Sequence, residues 1–405
     1  MLWSLSWKNI WRNKLRSTVV IIAVTLGVFA GVFMIAFTNG MVEGRVDVII
    51  RTEISHIQIH QPGFQENNDF SLKMKNADSI VRIVSRTDHV IAVCKRVVIS
   101  SLIASAETNA GVKILGIIPE EERKVTNISN KIIEGAYFES KGKNLVVIGR
   151  KLAEKLKVGL HKKLIITLQD TQMNITSGAF RVEGIYETDN NLYDESAIFV
   201  RYWDLCALTG LDGSEAHEIA VLLDQDEYSE PVTQELKNIF PGLEVQNWTE
   251  LSPEAGYLVS AMDQYMLIFI IIILLALCFG IINTMLMVVL ERVKELGMLM
   301  AIGMSKAKIF FMIMLETIHL SVLGGLVGVI LGYIVSKHLE HGGLDLYFWK
   351  EAYSSFGYSS LIYPKIDLQT IALITMMVIF TGILSAIYPA LKALKLNPAD
   401  ATRTA

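Results

Sequence analysis

Charged side chains are scarce in this sequence. Of its 405 residues, 19% are Asp, Glu, Lys or Arg, whereas a soluble domain usually carries about 25%. Apolar residues make up 52%, and the net charge of −4 is too small to indicate a nucleic-acid-binding surface. Most of the charged residues lie between positions 40 and 258. The composition therefore excludes both a purely soluble enzyme and a carrier made only of helices with short loops.

Cysteine is also rare, and the common catalytic motifs are absent. Cys94, Cys206 and Cys278 form no C-x-x-C pattern, which excludes a zinc knuckle and a thioredoxin-type site. Cys94 and Cys206 lie in the polar block and could form a disulfide. The sequence has no G-x-x-x-x-G-K-[ST], G-x-S-x-G or H-E-x-x-H, so we expect no ATPase, hydrolase or metalloprotease site and no catalytic residues in this chain.

Two histidines in the polar block have the spacing of residues on one strand face. His56 and His60 alternate with Ile57 and Ile59, and side chains four apart on a strand point the same way. They could form a metal pair, but a solvated strand face is the simpler interpretation, and we expect no metal.

Four apolar runs are long enough to cross a membrane. About 20 helical residues at 1.5 Å per residue span the hydrocarbon core. The first run, which begins at Thr18, is longer than the apolar core of a signal peptide, so we expect it to be retained.

The predicted architecture is four transmembrane α-helices with a large mixed α/β extracytoplasmic domain inserted between the first and second spans. The predicted segments are an interfacial helix 1–16, span 1 at 17–39, the outer domain 40–258, span 2 at 259–290, an inner coupling segment 291–308, span 3 at 309–336, an outer loop 337–367, span 4 at 368–391 and a tail 392–405.

The distribution of basic residues predicts the orientation of the spans. Lys and Arg are concentrated before span 1, between spans 2 and 3, and after span 4. Basic residues favour cytoplasmic segments, and four spans put these three segments on the same side. We therefore expect a multi-pass membrane protein with both termini in the cytoplasm.

Glycine spacing predicts where the spans pack together. Gly27 and Gly31 form one G-x-x-x-G, and Gly324, Gly328 and Gly332 repeat that spacing in span 3. Small residues at this spacing let two helix backbones approach closely. Span 3 also contains Glu316, and an ionisable group at membrane depth usually faces protein or water. Snorkelling towards the nearby cytoplasmic end, or a contact with the inner loop, would account for Glu316 without transport chemistry.

The polar block has the patterns of a folded domain. Strand-length alternating or apolar runs recur through it, and helical patterns occur at Ala77–Ser85, Arg150–Leu156 and Pro231–Ile239. A further helical pattern, near Leu251, continues into span 2. The predicted strands are His56–His60, Val90–Ile99, Val112–Ile118, Leu145–Ile148, Leu164–Leu168, Phe180–Tyr186 and Ile219–Leu223.

The inner segment carries the most specific motif in the sequence. Residues 291–303 read ERVKELGMLMAIG, which resembles the E-R-x-x-E-[IL]-G-x-x-x-A-x-G signature of the FtsX-like and MacB-type permeases of ABC transporters. Tyr388-Pro389-Ala390 and, further on, Asn397-Pro398-Ala399 resemble the ending of that family. Segments of the outer block, among them Ser55–His60 and Val182–Tyr186, are similar to the LolC/LolE lipoprotein-releasing permeases.

The resemblance implies a non-catalytic membrane subunit. Two permease chains, identical or different, would pair with two copies of a separate ATPase that binds ATP and Mg²⁺. The permease would convert ATP-driven closure on the inside into motion of the outer domains, called mechanotransmission. The resemblance further implies lipoprotein substrates and a periplasmic lipoprotein chaperone. Two alternatives remain open: a MacB-type exporter of small molecules or peptides, and an FtsX-like regulator of a cell-wall hydrolase, although the outer block is larger than that of FtsX.

The resemblance and the residue pattern together suggest three sites. An ATPase-coupling segment would comprise Glu291, Arg292, Lys294, Glu295, Gly297, Met300, Ala301, Ile302, Gly303 and Met304. An acyl-chain cavity between paired subunits would be formed by Val32, Phe33, Ile35, Ala36, Phe37, Tyr265, Met266, Ile268 and Phe269. A hairpin corresponding to the chaperone-capturing hook, shorter and without proline, would carry Gln169, Asp170, Thr171, Gln172, Met173 and Asn174.

Overall fold

The structure is a computed structural model that describes residues 2–12 and 14–394. The tail residues Lys395, Asn397, Pro398, Ala399 and Arg403, which contributed to the predicted orientation and ending, lie outside the described residues. The chain divides into two compact units. One contains residues 1–41, 261–344 and 362–405, and the other contains 42–260 and 345–361.

The first unit is helical, and four of its helices are long and apolar enough to cross a membrane. A helix is present within the segment 1–16 that was predicted to be interfacial, and another helix occupies part of the predicted inner segment. The helices are the N-terminal helix (Leu2–Arg12), span 1 (Lys14–Val48), span 2 (Pro253–Glu291), the connecting helix (Val293–Ala301), span 3 (Lys306–Gly342) and span 4 (Leu368–Leu394). Span 1 continues as a π-helix, Ile49–Ile54. Most of these helices extend several residues beyond the apolar runs, because helical structure does not end where charged residues begin.

Both glycine patterns lie at helix–helix contacts. A Cβ atom added to Gly328 would lie 2.7 Å from the Thr25 carbonyl oxygen and 2.8 Å from Val28 Cβ, and Gly324 and Gly332 are as close to span 1. The Thr25 hydroxyl donates a hydrogen bond of 3.0 Å to the Gly324 carbonyl. A Cβ on Gly27 would lie 2.5 Å from Leu277 of span 2. Span 1 therefore packs on span 3 at the glycines of span 3, and on span 2 at its own Gly27 and Gly31, as the spacing predicts.

The second unit is built on a ten-stranded mixed sheet. The strand order is β10-β1-β9-β2-β3-β8-β5-β7-β4, and β6 pairs with β2 and β7. Pairs β3/β8 and β5/β7 are parallel, and the others are antiparallel. The strands are β1 (Ile57–His60), β2 (Val90–Ala104), β3 (Asn109–Ile117), β4 (Ile132–Gly135), β5 (Leu145–Gly149), β6 (Lys163–Gln169), β7 (Ile175–Tyr186), β8 (Ala197–Arg201), β9 (Glu218–Leu223) and β10 (Glu244–Asn247).

Short helices cover both faces of this sheet. Every residue of β9 is buried, because its alternate side chains enter two different apolar clusters, one with Ile219 and Val221 and the other with Ala220 and Leu222. Burial on both faces explains why this strand is a continuous apolar run. The helices are Phe64–Asn67, Ala77–Val84, Pro119–Val125, Arg150–Leu156, Asn191–Ser196, Tyr202–Thr209, Ser229–Ile239, Trp248–Leu251 and Lys350–Ser355. Single turns of 3₁₀-helix occur at Ile128–Lys131, Asp226–Tyr228 and Tyr347–Trp349, and Leu344–Asp345 pairs with Leu361–Ile362.

Two interpretations of single residues in this unit are corrected by the structure. His56 and His60 do not form a solvated strand face, since both are buried. His56 Nδ1 accepts a hydrogen bond of 3.2 Å from the Leu223 backbone N–H, and burial lowers the pKa of His56 to about 4. Cys94 and Cys206 do not form a disulfide: both are buried free thiols. Burial raises the pKa of Cys206 to about 11.

Candidate coupling site and apolar groove

The connecting helix is a separate short helix with a defined start and end. The chain leaves helical geometry at Arg292, whose φ of −99° and ψ of 15° break the run between span 2 and this helix. At the other end, the Gly303 N–H donates to the Met300 carbonyl and the Met304 N–H donates to the Leu299 carbonyl. These two bonds form a Schellman motif, which requires a left-handed residue at the Gly303 position. Gly303 has a φ of +100°.

The two faces of the connecting helix differ in exposure. Leu296 and Gly297 are buried, and Leu299, Met300 and Met304 pack against the apolar core of the helical unit. Lys294, Met298 and Ile302 follow one another at four-residue intervals and are exposed, Ile302 to 85%. We call these three residues the exposed stripe. Of the predicted coupling residues, Glu291, Lys294, Ala301, Ile302 and Gly303 are exposed, and Arg292, Glu295, Gly297, Met300 and Met304 are buried or partly buried.

Alternating charges tie the connecting helix to other helices of the same unit. Arg12 of the N-terminal helix pairs with Glu295, and Arg292 Nε lies 3.1 Å from the second Glu295 oxygen. Arg292 Nη1 also donates to both oxygens of Glu316, at 3.0 and 2.9 Å. The hydrogen bond from Arg12 lowers the pKa of Glu295. A contact with the inner loop thus accounts for Glu316, as predicted.

This charge network lines a polar cavity of about 290 Å³. Asn9, Arg12, Ser17, Glu291, Arg292 and Glu316 contribute to its wall. Because Arg292 and Glu295 are bonded inside the chain, they are less available to a soluble partner than the sequence suggests. The exposed stripe remains accessible to a soluble partner, as do Glu291, Ala301 and Gly303.

An apolar groove of about 430 Å³ lies between spans 1 and 2. Its walls are formed by residues 20–30 of span 1 and 273–284 of span 2, including Gly27, Ala30, Ile273, Leu277 and Gly280. The groove is not fully enclosed, and its volume lies within the usual range for ligand pockets, about 300–1,000 Å³. The predicted cavity uses residues 32–37 and 265–269, so the groove occupies a different stretch of the same two helices.

The residues predicted to line that cavity separate into two groups. Val32, Ile35 and Ala36 are buried inside the helical unit, where Val32 packs against Gly332 of span 3. They do not line an open cavity within one chain. Tyr265, Ile268 and Phe269 are exposed on span 2, and Phe33, Phe37 and Met266 are partly exposed. A cavity between two paired chains stays a prediction.

The predicted hairpin is present, with β6 and β7 as its strands. Its turn is compact, because the Asp170 carboxylate accepts hydrogen bonds from the Gln172 and Asn174 backbone N–H groups at 2.8 and 2.9 Å. These bonds lower the pKa of Asp170. Met173 and Ile175, at and beside the tip, are 71% and 78% exposed. The hairpin therefore presents apolar side chains to its surroundings.

The sequence analysis did not identify a buried charge network in the sheet unit. Arg96 donates two hydrogen bonds to Glu122, at 2.9 and 2.6 Å, and a third to Glu218 at 2.6 Å. All three side chains are almost completely buried. The Cys94 thiol also donates to Glu122 at 3.2 Å. No local pattern connects residues on three separate elements, so only the fold reveals this network, which holds helix Pro119–Val125 against β2 and β9.

Comparison with known proteins identifies two family domains in the chain. The profile of the MacB-like periplasmic core domain matches residues 17–239, and that of the FtsX-like permease C-terminal domain matches residues 267–398. The lipoprotein-releasing system transmembrane protein LolC of Neisseria meningitidis is 23% identical over 87% of this chain and 87% of its own. The macrolide export ATP-binding/permease protein MacB of Bdellovibrio bacteriovorus is 37% identical, over 31% of this chain and 16% of its own.

Solved structures include a similar periplasmic domain. The periplasmic region of MacB from Actinobacillus actinomycetemcomitans is 15% identical and has a TM-score of 0.34, covering 49% of this chain and 92% of that one.

An uncharacterized ABC transporter permease of Methanocaldococcus jannaschii is 28% identical over 71% of this chain and 69% of its own. The MacB-like core covers more than half of the sequence, and the FtsX-like domain follows it. The chain therefore belongs to the FtsX/MacB family of ABC transporter permeases.

Proposed function

We propose that this chain is a permease subunit of the bacterial inner membrane that releases lipoproteins, driven by a separate ATPase. The observation that carries the proposal is the similarity to LolC, which extends over 87% of both chains and thus includes the outer domain as well as the spans. Both termini would lie in the cytoplasm, and a second permease chain, identical or different, would complete the assembly.

The exposed stripe supports docking of an ATPase. Met298 and Ile302 are large apolar side chains left 54% and 85% exposed, next to Lys294 on the same helix face. An amphipathic helix commonly binds by placing such residues in a groove of its partner. ATP and Mg²⁺ would be bound by that partner, in two copies, and this chain would contribute no catalytic residue.

The apolar groove supports an acylated substrate. A lipid anchor is held in the bilayer by about 0.8 kcal/mol per buried CH₂ group, so its extraction needs a second apolar site and an input of energy. The groove between spans 1 and 2 offers apolar walls and is not fully enclosed. The exposed residues Tyr265, Ile268 and Phe269 would extend this surface once a second permease chain is present.

A MacB-type exporter is the second candidate function. It is favoured by the higher identity, 37%, to MacB of Bdellovibrio bacteriovorus, although this similarity covers 31% of the chain. Both functions use the same ATPase-docking surface and differ in what the outer domain and the groove accept. Capture of a lipoprotein chaperone by the hairpin Lys163–Tyr186 belongs to the first candidate only.

Depletion of the protein distinguishes the two candidates. If it releases lipoproteins, depletion leaves outer-membrane lipoproteins in the inner-membrane fraction. Gly280→Phe, which fills open space in the groove, should have the same effect, whereas Gly342→Phe, in open space outside the groove, should not. If lipoproteins reach the outer membrane at the normal rate while resistance to an exported small molecule is lost, lipoprotein release is wrong and the exporter replaces it.

A further inference from the structure

Four large aromatic side chains are exposed within residues 347–356, in the segment that joins spans 3 and 4. Tyr347, Phe348 and Trp349 form a turn of 3₁₀-helix and are 72%, 88% and 54% exposed, and Phe356 is 77% exposed. Phe348 and Trp349 contact each other edge to face, with ring centroids 5.5 Å apart. Several large apolar side chains exposed close together in sequence are typical of a site of interaction with another molecule or with a membrane.

The charged side chains of the same segment are paired within the sheet unit. Lys350 Nζ donates to Glu187 Oε1 at 2.8 Å, and Glu351 pairs with Lys151. Gly357, which has a φ of +75°, lies against the Arg45 guanidinium, so that a Cβ atom there would be 2.7 Å from Arg45 Cζ. The segment is thus fixed through its charges while its aromatic rings remain uncovered.

Chain length keeps Tyr347 close to the end of the span 3 helix. Tyr347 follows Gly342, the last residue of span 3, by only five positions. At no more than about 3.6 Å per residue, it stays within about 18 Å of the helix end. Tyr and Trp prefer the membrane–water interface, where the ring contacts acyl chains and the polar atom remains hydrated.

We infer that residues 347–356 form a membrane-surface anchor, whose aromatic rings insert among the phospholipid headgroups beside the end of span 3. Insertion covers the rings that the protein leaves exposed. It also leaves Lys350 and Glu351 free to keep their pairs with Glu187 and Lys151. The anchor therefore links the sheet unit to the lipid surface at a point separate from the helices that enter the membrane. The inference does not depend on the transported substrate or on an ATPase partner.

Site-specific fluorescence in nanodiscs tests the anchor. The full-length Cys278→Ser variant retains Cys94 and Cys206, which are buried, so a new surface cysteine can be labelled selectively. Phe348→Cys carries an environment-sensitive dye in discs of phosphatidylcholine and phosphatidylglycerol. The matched control is Met173→Cys at the hairpin tip, an apolar side chain of the same unit that is 71% exposed. Phe356→Cys is a second test position in case Phe348→Cys does not fold.

The two positions should respond oppositely to two quenchers. With lipids spin-labelled at the headgroup or upper acyl chain, the dye at position 348 or 356 should lose most of its emission, and the dye at 173 should lose little. Aqueous iodide should quench the dye at 173 more strongly. Equal iodide quenching at 348 and 173 without lipid quenching would overturn the anchor. Protection from both quenchers would also overturn it, because the surface would then be covered by protein, such as a second copy of the chain.

Discussion

At the residue scale, Arg292 connects most of the features of the inner site. It stands at the break between span 2 and the connecting helix, and its guanidinium contacts Glu295 on one helix and Glu316 on another. Only 15% of its side chain and 7% of that of Glu316 are exposed. A displacement of the connecting helix would therefore act on span 3 through this pair as well as through the backbone.

Exchanging the two charges tests the Arg292–Glu316 pair. Arg292→Glu should lower the free energy of unfolding by at least about 2 kcal/mol, since it removes charged hydrogen bonds and places two carboxylates together. Glu316→Arg should be similarly harmful, whereas the double exchange should recover part of the loss. Thermal unfolding of the purified full chain in detergent measures all three variants. A double variant no more stable than the worse single variant would contradict a direct interaction.

Two buried histidines predict how the sheet unit responds to pH. His217 Nδ1 accepts a hydrogen bond of 3.2 Å from the Val98 N–H, and Nε2 donates to the Phe70 carbonyl at 3.0 Å, so the neutral ring fits the site. Burial lowers the pKa of His217 to about 4, against about 6.5 in an unfolded chain. The unfolded state thus binds an extra proton between these values, and stability falls as pH falls through that window. Asp194, whose pKa burial raises to about 6, opposes this trend.

His217→Gln should weaken the pH dependence, because glutamine can accept and donate at the same positions without being titrated. We expect the loss of stability between pH 7.5 and pH 5 to shrink by up to about 2 kcal/mol. His56→Gln, at the other histidine with a pKa of about 4, should act in the same direction. Denaturation of the full chain at the two pH values measures the difference. An unchanged difference in both variants would mean that these rings are not held neutral.

At the element scale, the glycines of span 3 determine which faces of the helices meet. Close approach is possible because Gly324, Gly328 and Gly332 leave space for span 1, while Gly325 and Gly382 do the same between spans 3 and 4. Hydrophobic burial contributes little to the association of helices in lipid, so van der Waals packing at such seams is decisive.

Adding a single methyl group at Gly328 should disrupt the span 1–span 3 seam. Its Cβ would meet the Thr25 carbonyl at 2.7 Å and Val28 Cβ at 2.8 Å, and neither backbone nor branched side chain can move aside without shifting a helix. Gly328→Ala should therefore lower the melting temperature in detergent. Gly280→Ala, also in a spanning helix but with no atom within 4 Å of the new Cβ, is the control and should be neutral or stabilising. Equal melting temperatures of the two variants would refute the seam.

The sequence predicts strands and helices that have a regular hydrophobic pattern better than it predicts which other elements they pack against. The seven predicted strands are present because β-branched alternation is local information. The sequence did not predict β4, β8 or β10. β10 is a polar edge strand in which only Val245 and Asn247 are buried, so it has little pattern. β2 extends to Ala104, beyond the predicted Ile99, because its last residues pair with β3 and β6. The buried face of the connecting helix was likewise unpredictable, because Leu296 packs in an apolar core formed with residues far away in sequence.

At the scale of the whole molecule, the account combines a four-span helical unit with a sheet unit inserted after the first span. Family membership establishes a permease; the proposed transport cycle adds a separate ATPase at the exposed stripe. This stripe is the central claim, because both candidate functions need an ATPase there.

Photo-crosslinking in native membranes tests this claim most directly. A photoreactive amino acid replaces Ile302, and the matched control places it at Leu296, which is 2% exposed on the opposite face of the same helix. The account predicts that Ile302 cross-links to a polypeptide whose peptides contain a G-x-x-x-x-G-K-[ST] motif, and that Leu296 does not. Cross-linking of Ile302 only to lipid or to another copy of this chain, with the complex intact, would contradict it.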